Sequence, residues 1–138
     1  MPAWIQVLLI LGLALAGAMG SAIMNEQPAP AALNTDAWMR TADDVASMPG
    51  VIWVDARRAE VFAAGHIDGA VNVSLENWDA GLGDLLTVWM PGEVVVVYCD
   101  GEGCQLSRET AEKLRTDLAD DQIYWLQGGI EAWEGYQQ

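Results

Sequence analysis

The chain has 138 residues, with 20 Asp and Glu against 6 Lys and Arg, and its formal charge of −14 leaves no basic cluster for nucleic-acid phosphates. Hydrophobic residues make up 52%, alongside 14 Gly and 5 Pro, which excludes disordered, collagenous and low-complexity classes and leaves room for one domain plus an appendage. Two cysteines, Cys99 and Cys104, with a single histidine, His66, make neither a disulfide scaffold nor a zinc set, so any cysteine chemistry rests on one thiol or one pair.

From Ala3 to Met24 no side chain is charged, Gln6 and Ser21 alone interrupt the apolar run, and the first charge is Glu26. As a helix these residues would span about 33 Å, enough for a hydrocarbon core of roughly 30 Å. Residues 1–24 therefore read as a transmembrane anchor or a signal sequence. The missing basic n-region favours the anchor, although Ala18-Met19-Gly20 offers a small-x-small cleavage site. The expectation is a single-pass protein held in the membrane through residues 3–24. Arg40 is the one basic residue near either end that could orient it, and the domain is expected on the extracytoplasmic side. Residues 25–40, with Pro28, Pro30 and several Ala, read as a linker, and residues 41–138 as the domain.

Within that domain the pattern predicts a helix over Thr41–Ser47, then a strand over Val51–Val54 that follows Pro49-Gly50. A helix over Arg58–Ala64, a short strand at Val71–Val73 and a helix within Leu75–Trp89 come next. The run Val94–Tyr98 after Pro91-Gly92 and the run Ile123–Leu126 before Gly128-Gly129 read as strands, separated by a helix over Ser107–Leu118 and followed by one over Ile130–Trp133. The strand runs are short, apolar and rich in β-branched residues, as strands buried on both faces are. Strand and helix alternation implies parallel pairing through right-handed crossovers, and so an α/β sandwich with helices on both faces of the sheet. Ligands gather at the carboxyl ends of such strands, which points to Cys99.

Cys99 ends one of those strands and opens a loop, Asp100-Gly101-Glu102-Gly103-Cys104-Gln105, that leads into a helix. Ser107 reads as the N-cap, Leu106 and Ala111 as a hydrophobic staple, and Glu109 as a first-turn acid suited to the dipole. A glycine-containing loop ahead of a helix N-terminus forms a nest of backbone N–H groups that stabilises a thiolate, the nucleophilic form of cysteine. The plainer alternative is a small buried hydrophobe closing a strand, and the glycine loop weighs against it.

Three separated stretches carry a resemblance to the rhodanese-like domain: Val54-Asp55-Ala56-Arg57 with Glu60, Phe62 and Gly65-His66-Ile67-Asp68-Gly69-Ala70-Val71-Asn72; Val97-Tyr98-Cys99; and Leu126-Gln127-Gly128-Gly129-Ile130-Glu131-Ala132-Trp133. Their order and spacing cover residues 33–138. The resemblance implies a five-stranded parallel sheet and a catalytic Cys99 that takes a sulfane sulfur as a persulfide and passes it on, without metal or cofactor. It implies a small-molecule or protein sulfur donor and a thiol or cyanide-like acceptor. Residues 100–105 become the active-site loop, with Asp55, Arg57 and Arg108 as supporting residues. His66 falls in a turn away from the sulfur, and Gly128-Gly129 reads as a tight strand-to-helix turn.

Two features depart from the family pattern. Where many rhodanese loops carry Arg or Lys, this loop has Asp100 and Glu102, with Arg108 only after the helix begins, so it should repel the thiosulfate dianion and suit a polysulfide or persulfide donor better. Cys104 either closes a disulfide with Cys99, if their α-carbons approach to about 5–6 Å, or anchors the loop as a small packed side chain. A phosphatase or arsenate reductase of the Cys-x5-Arg type would need Arg where Gln105 stands, and the Cys-x4-Cys spacing is not that of a thioredoxin-like enzyme. The alternative to an enzyme is a membrane-tethered, non-catalytic module that binds a partner or senses redox state.

Overall fold

A computed structural model describes residues 35–138, in which five short parallel strands alternate with five helices. In chain order they are β1 (Met39–Arg40), α1 (Ala42–Ala46), β2 (Ile52–Asp55), α2 (Ala59–Ala64), β3 (Val71–Asn72), α3 (Trp78–Leu86), β4 (Val95–Tyr98), α4 (Leu106–Leu118), β5 (Ile123–Leu126) and α5 (Gly129–Tyr136). The strands form one sheet in the order β1-β5-β4-β2-β3. The α/β architecture with a parallel five-stranded sheet is therefore the observed one.

Side-chain alternation along β4 explains the two layers. All four of its residues are buried; Val95 and Val97 join Leu85, Trp89, Ala111, Leu114 and Ile123 on the face covered by α3 and α4. Val96 and Tyr98 turn the other way, against Val45 of α1 and Ile130 and Trp133 of α5. Each fully buried Val or Leu contributes about 1.5–3 kcal/mol, so the sheet is held mainly by these two apolar layers. Helix α1, only five residues long, is fixed by a reciprocal capping box: the Asp44 amide donates to Thr41 Oγ1 at 3.2 Å and the Thr41 amide donates to Asp44 Oδ2 at 2.9 Å. The Thr41 amide and the Thr41 hydroxyl, which also donates to Asp44 Oδ2 at 2.9 Å, hold the Asp44 carboxyl below the usual carboxylate range.

Two boundaries need correction. The linker expected over residues 25–40 ends sooner, because Thr35–Trp38 forms a 3-10 turn and Met39–Arg40 pairs with Trp125–Leu126 as the edge strand β1. Ser107 is not the N-cap of α4: the helix starts at Leu106, the cap position is Gln105, and Ser107 lies inside the first turn. The span expected over residues 3–24 lies outside the described residues; among those described, no helix is long and apolar enough to cross a membrane.

Candidate active site

The carboxyl ends of β2, β4 and β5 meet at one edge of the sheet, and three chain segments are tied together there. Cys99, 1% exposed, follows β4 directly. Its carbonyl accepts from the Ile130 amide at 2.8 Å and the Asp100 carbonyl accepts from the Glu131 amide at 3.2 Å, so the first turn of α5 caps onto the start of the loop. This approach requires Gly129, whose φ is +60° and where a Cβ would strike the carbonyls of Cys99 and Asp100.

From there the loop rises over the sheet edge. Its own backbone has one internal hydrogen bond, from the Cys104 amide to the Gly101 carbonyl at 3.4 Å, and Gly103 takes φ +78°. The turn brings Cys104 back, and Cys99 and Cys104 are joined in a disulfide with their α-carbons 6.4 Å apart. Of the two alternatives for Cys104, the structure adopts the bond. Ser107 Oγ lies 3.8 Å from Cys99 Sγ, within reach of a sulfur acceptor, and the hydroxyl must be the donor because a bonded sulfur carries no proton. Ser107 is 2% exposed, so its hydroxyl is committed to this environment. The sequence pattern suggests a cap at this position, whereas Ser107 lies inside the first turn of α4. The signal that would have found its place is helical phase, since Ala111 and Leu114 face the sheet and Ser107 precedes them by four and seven residues.

Asp55, Arg57 and Asp100 are brought together across 43 residues of sequence. Arg57 Nε and Nη2 grip the buried Asp55 carboxylate, at 3.0 Å to Oδ1 and 2.7 Å to Oδ2. Nη2 also donates to the Gly65 carbonyl at 2.8 Å, and Nη1 reaches Asp100 Oδ1 at 3.2 Å. Hydrogen bonding to Asp55, against the cost of burial, pushes the Arg57 pKa further up, so the guanidinium is always charged. Asn72 Nδ2 donates to the carbonyls of Asp55 and Arg57 at 3.0 and 2.8 Å, locking the corner from β3. Burial pushes the neighbouring Tyr98 phenol up, and its oxygen accepts from the Ile67 amide at 3.0 Å.

A cavity of about 370 Å³ lies over the loop. Its lining combines Gly101, Glu102, Gly103, Cys104, Gln105 and Arg108 from the loop and α4 with Met39 of β1 and residues 125–128 at the end of β5. Cys104 faces this space and Cys99 does not line it. Arg108 pairs with Glu112 one turn along, at 3.1 Å, and still lines the cavity. Asp100 is absent from the lining and its carboxylate is held by Arg57, so of the two loop acids only Glu102 faces the cavity. Met39, Trp125 and Gln127 were missed from sequence, although Trp125 and Gln127 sit at the carboxyl end of β5 where such sites gather. His66 stacks on Phe62 with ring centroids 3.8 Å apart and its Nδ1 is 2.8 Å from the Phe62 carbonyl, clear of the cavity lining.

The rhodanese-like domain model matches residues 39–136, which contain all five strands and all five α-helices. The chain belongs to the rhodanese-like domain family. Among solved structures it is similar to BH2092 protein from Bacillus halodurans, at 25% identity and TM-score 0.59, with 72% of this chain and 73% of that one covered. It is also similar to a rhodanese-related protein from Thermoplasma volcanium, at 19% identity and TM-score 0.54, with 71% and 91% covered. A third similar structure was solved as "Probable Thiosulfate Sulfurtransferase"; identity is 25%, TM-score 0.51, and the match covers 74% of this chain but 46% of that one. No curated protein matches the chain.

Proposed function

We propose that the chain is a sulfurtransferase that carries a sulfane sulfur as a persulfide on Cys99. The observation that supports this reading is the placement of Cys99: buried at the end of the central strand, with its sulfur against the first turn of α4 and the Ser107 hydroxyl. A helix N-terminus and a hydroxyl donor stabilise negative charge on sulfur, both on the thiolate that attacks and on the persulfide that results. With the disulfide reduced, the Cys99 thiolate attacks the sulfane sulfur of the donor, the donor's sulfur–sulfur bond breaks, and the leaving group departs with the electron pair. A thiol or cyanide-like acceptor then takes the terminal sulfur and returns the thiolate. The donor is not limited to thiosulfate: Glu102 sets a negative charge in the cavity, which weighs against a compact dianion and favours a persulfide or polysulfide donor whose charge is more spread.

The full chain, reduced and exposed to inorganic polysulfide, is expected to gain about 32 Da per transferred sulfur on the peptide carrying the loop. Retention of that increment in Cys99→Ser would overturn the assignment. The disulfide itself favours a second reading, a non-catalytic redox-sensing module, and the two separate on whether the reduced protein takes up sulfur at all. We also propose that residues 3–24 hold the protein in a membrane with the domain on the extracytoplasmic side, on the strength of their length and lack of charge. Release of the intact chain by carbonate or high salt would contradict the anchor.

A further inference from the structure

Resting on the persulfide reading above, we propose that Cys104 is the resolving thiol of the same site: it attacks Cys99 of the persulfide, expels the transferred sulfur as hydrogen sulfide, and leaves the Cys99–Cys104 disulfide. The protein would then reduce sulfane sulfur to sulfide with its own two thiols, and an external dithiol would restore it.

The disulfide shows that the loop can bring the Cys104 sulfur to the Cys99 sulfur with α4 and α5 in place. Their α-carbon separation of 6.4 Å is within the range such bonds occupy. The loop is built for that approach: its single internal hydrogen bond closes the turn from Gly101 to Cys104, and Gly103 supplies the left-handed residue inside it. A persulfide on Cys99 therefore has a second thiol at bonding range.

The step balances. Cys104 thiolate bonds to the Cys99 sulfur, the bond from that sulfur to the terminal sulfur breaks, and hydrosulfide leaves with the electron pair. The sulfane sulfur gains two electrons, and the two cysteines lose them as they become cystine. Burial of Cys99 and exposure of Cys104 to the cavity set the direction of the return step. An incoming dithiol meets Cys104 first and forms a mixed disulfide with it. Cys99 is then the leaving thiolate, stabilised by the first turn of α4 and the Ser107 hydroxyl, as a good leaving sulfur should be. The second thiol of the dithiol closes its own disulfide and frees Cys104.

The test uses the full chain, reduced and freed of reductant, with one equivalent of glutathione persulfide as donor. Samples are quenched with iodoacetamide over time and read for protein mass and for sulfide. In the parent, a species heavier by about 32 Da is expected to rise and then fall, replaced by a non-alkylated form about 2 Da lighter than the reduced protein as about one equivalent of sulfide appears. Cys104→Ser is expected to hold the heavier species and to release sulfide at least tenfold more slowly, and Cys99→Ser to acquire no added sulfur. If the parent keeps its added sulfur as long as Cys104→Ser does, the resolving role is wrong while the persulfide reading stands. If neither protein acquires the added mass nor releases sulfide, the persulfide reading itself fails. Added sulfur on Cys104 in Cys99→Ser, with none acquired by Cys104→Ser, would reverse the two roles and overturn the proposal.

Discussion

Two corners stand one strand apart at the carboxyl edge of the sheet. The corner after β2 turns through Asp55, Ala56 and Arg57 with a buried bidentate ion pair, two bonds from Asn72 and a strap to the Gly65 carbonyl. The corner after β4 turns through residues 99–105 with a single hydrogen bond of its own, and its fixed points are supplied by neighbours: α5 amides on the carbonyls of Cys99 and Asp100, and Arg57 on the Asp100 side chain. The first corner carries the side-chain bonds, whereas the second carries the disulfide and few other bonds. The rigid corner thus holds the start of the loop through Arg57, while its other end runs into α4 at Gln105 with Cys104 bonded to Cys99.

The largest effect should come from breaking the rigid corner. Arg57→Ala leaves the Asp55 carboxylate, fully buried, without its partner, and removing one member of a buried pair costs about 3–5 kcal/mol. Urea unfolding should show that loss, together with a Tm lower by more than about 10 °C. Replacing both members with apolar residues, Asp55→Leu with Arg57→Met, should restore most of the stability. It should not restore the hold on Asp100, so persulfide formation should remain slowed in the double variant. A stability change under about 1 kcal/mol in Arg57→Ala would show that the pair does not hold the corner.

Next comes the seam where α5 meets the loop. Gly129→Ala places a Cβ against the carbonyls of Cys99 and Asp100 at a positive φ, for an expected loss of about 2–3 kcal/mol from collision and backbone strain together. Gly103→Ala has a similar φ, yet open space around the new Cβ, and should cost about 1 kcal/mol. Equal losses in the two variants, read by the same unfolding experiment, would mean that strain alone matters and that α5 does not clamp the loop. Ser107→Ala removes the hydroxyl beside the sulfur without altering the fold. At a distance of 3.8 Å it should slow persulfide formation by about five- to tenfold, which corresponds to about 1 kcal/mol, while thermal stability moves little.

The two corners also differ in how far they could be read from the sequence. Four strands were legible as short apolar runs of β-branched and aromatic residues, although of these only β4 is buried along its whole length, and Cys99 was legible because a glycine loop and a helix follow it. Strand β1 was not, since Met39 and Arg40 carry no alternation and become a strand only because β5 offers them an edge. The Arg57–Asp100 contact joins residues 43 positions apart, and local pattern holds no information about it. For the same reason the loop acids looked alike in sequence, although the fold pairs Asp100 with Arg57 and turns Glu102 to the cavity.

That division supplies the smallest and sharpest prediction. Sequence alone made both carboxylates equal obstacles to thiosulfate, whereas the structure leaves Glu102 as the acid on the path and makes Asp100 the partner of a cation. A unit charge near an entering dianion opposes it by several kcal/mol when unscreened, but the cavity is open to solvent and salt reduces this to about 1 kcal/mol. Glu102→Gln should therefore raise kcat/KM for thiosulfate about fivefold at low ionic strength, with a smaller gain for an uncharged organic trisulfide. The gain should shrink as salt is added, because a long-range field is being removed and no contact is being made. Asp100→Asn has two opposed consequences: it removes a negative charge, but it also releases the end of Arg57 that holds the loop, so its thiosulfate efficiency should not rise above that of the parent. A matching rise in both variants would mean that Arg57 does not neutralise Asp100 in solution, and the distinction between the anchored acid and the cavity acid would be lost. No rise in either would place the path of the dianion away from Glu102 and remove the charge argument against thiosulfate as donor.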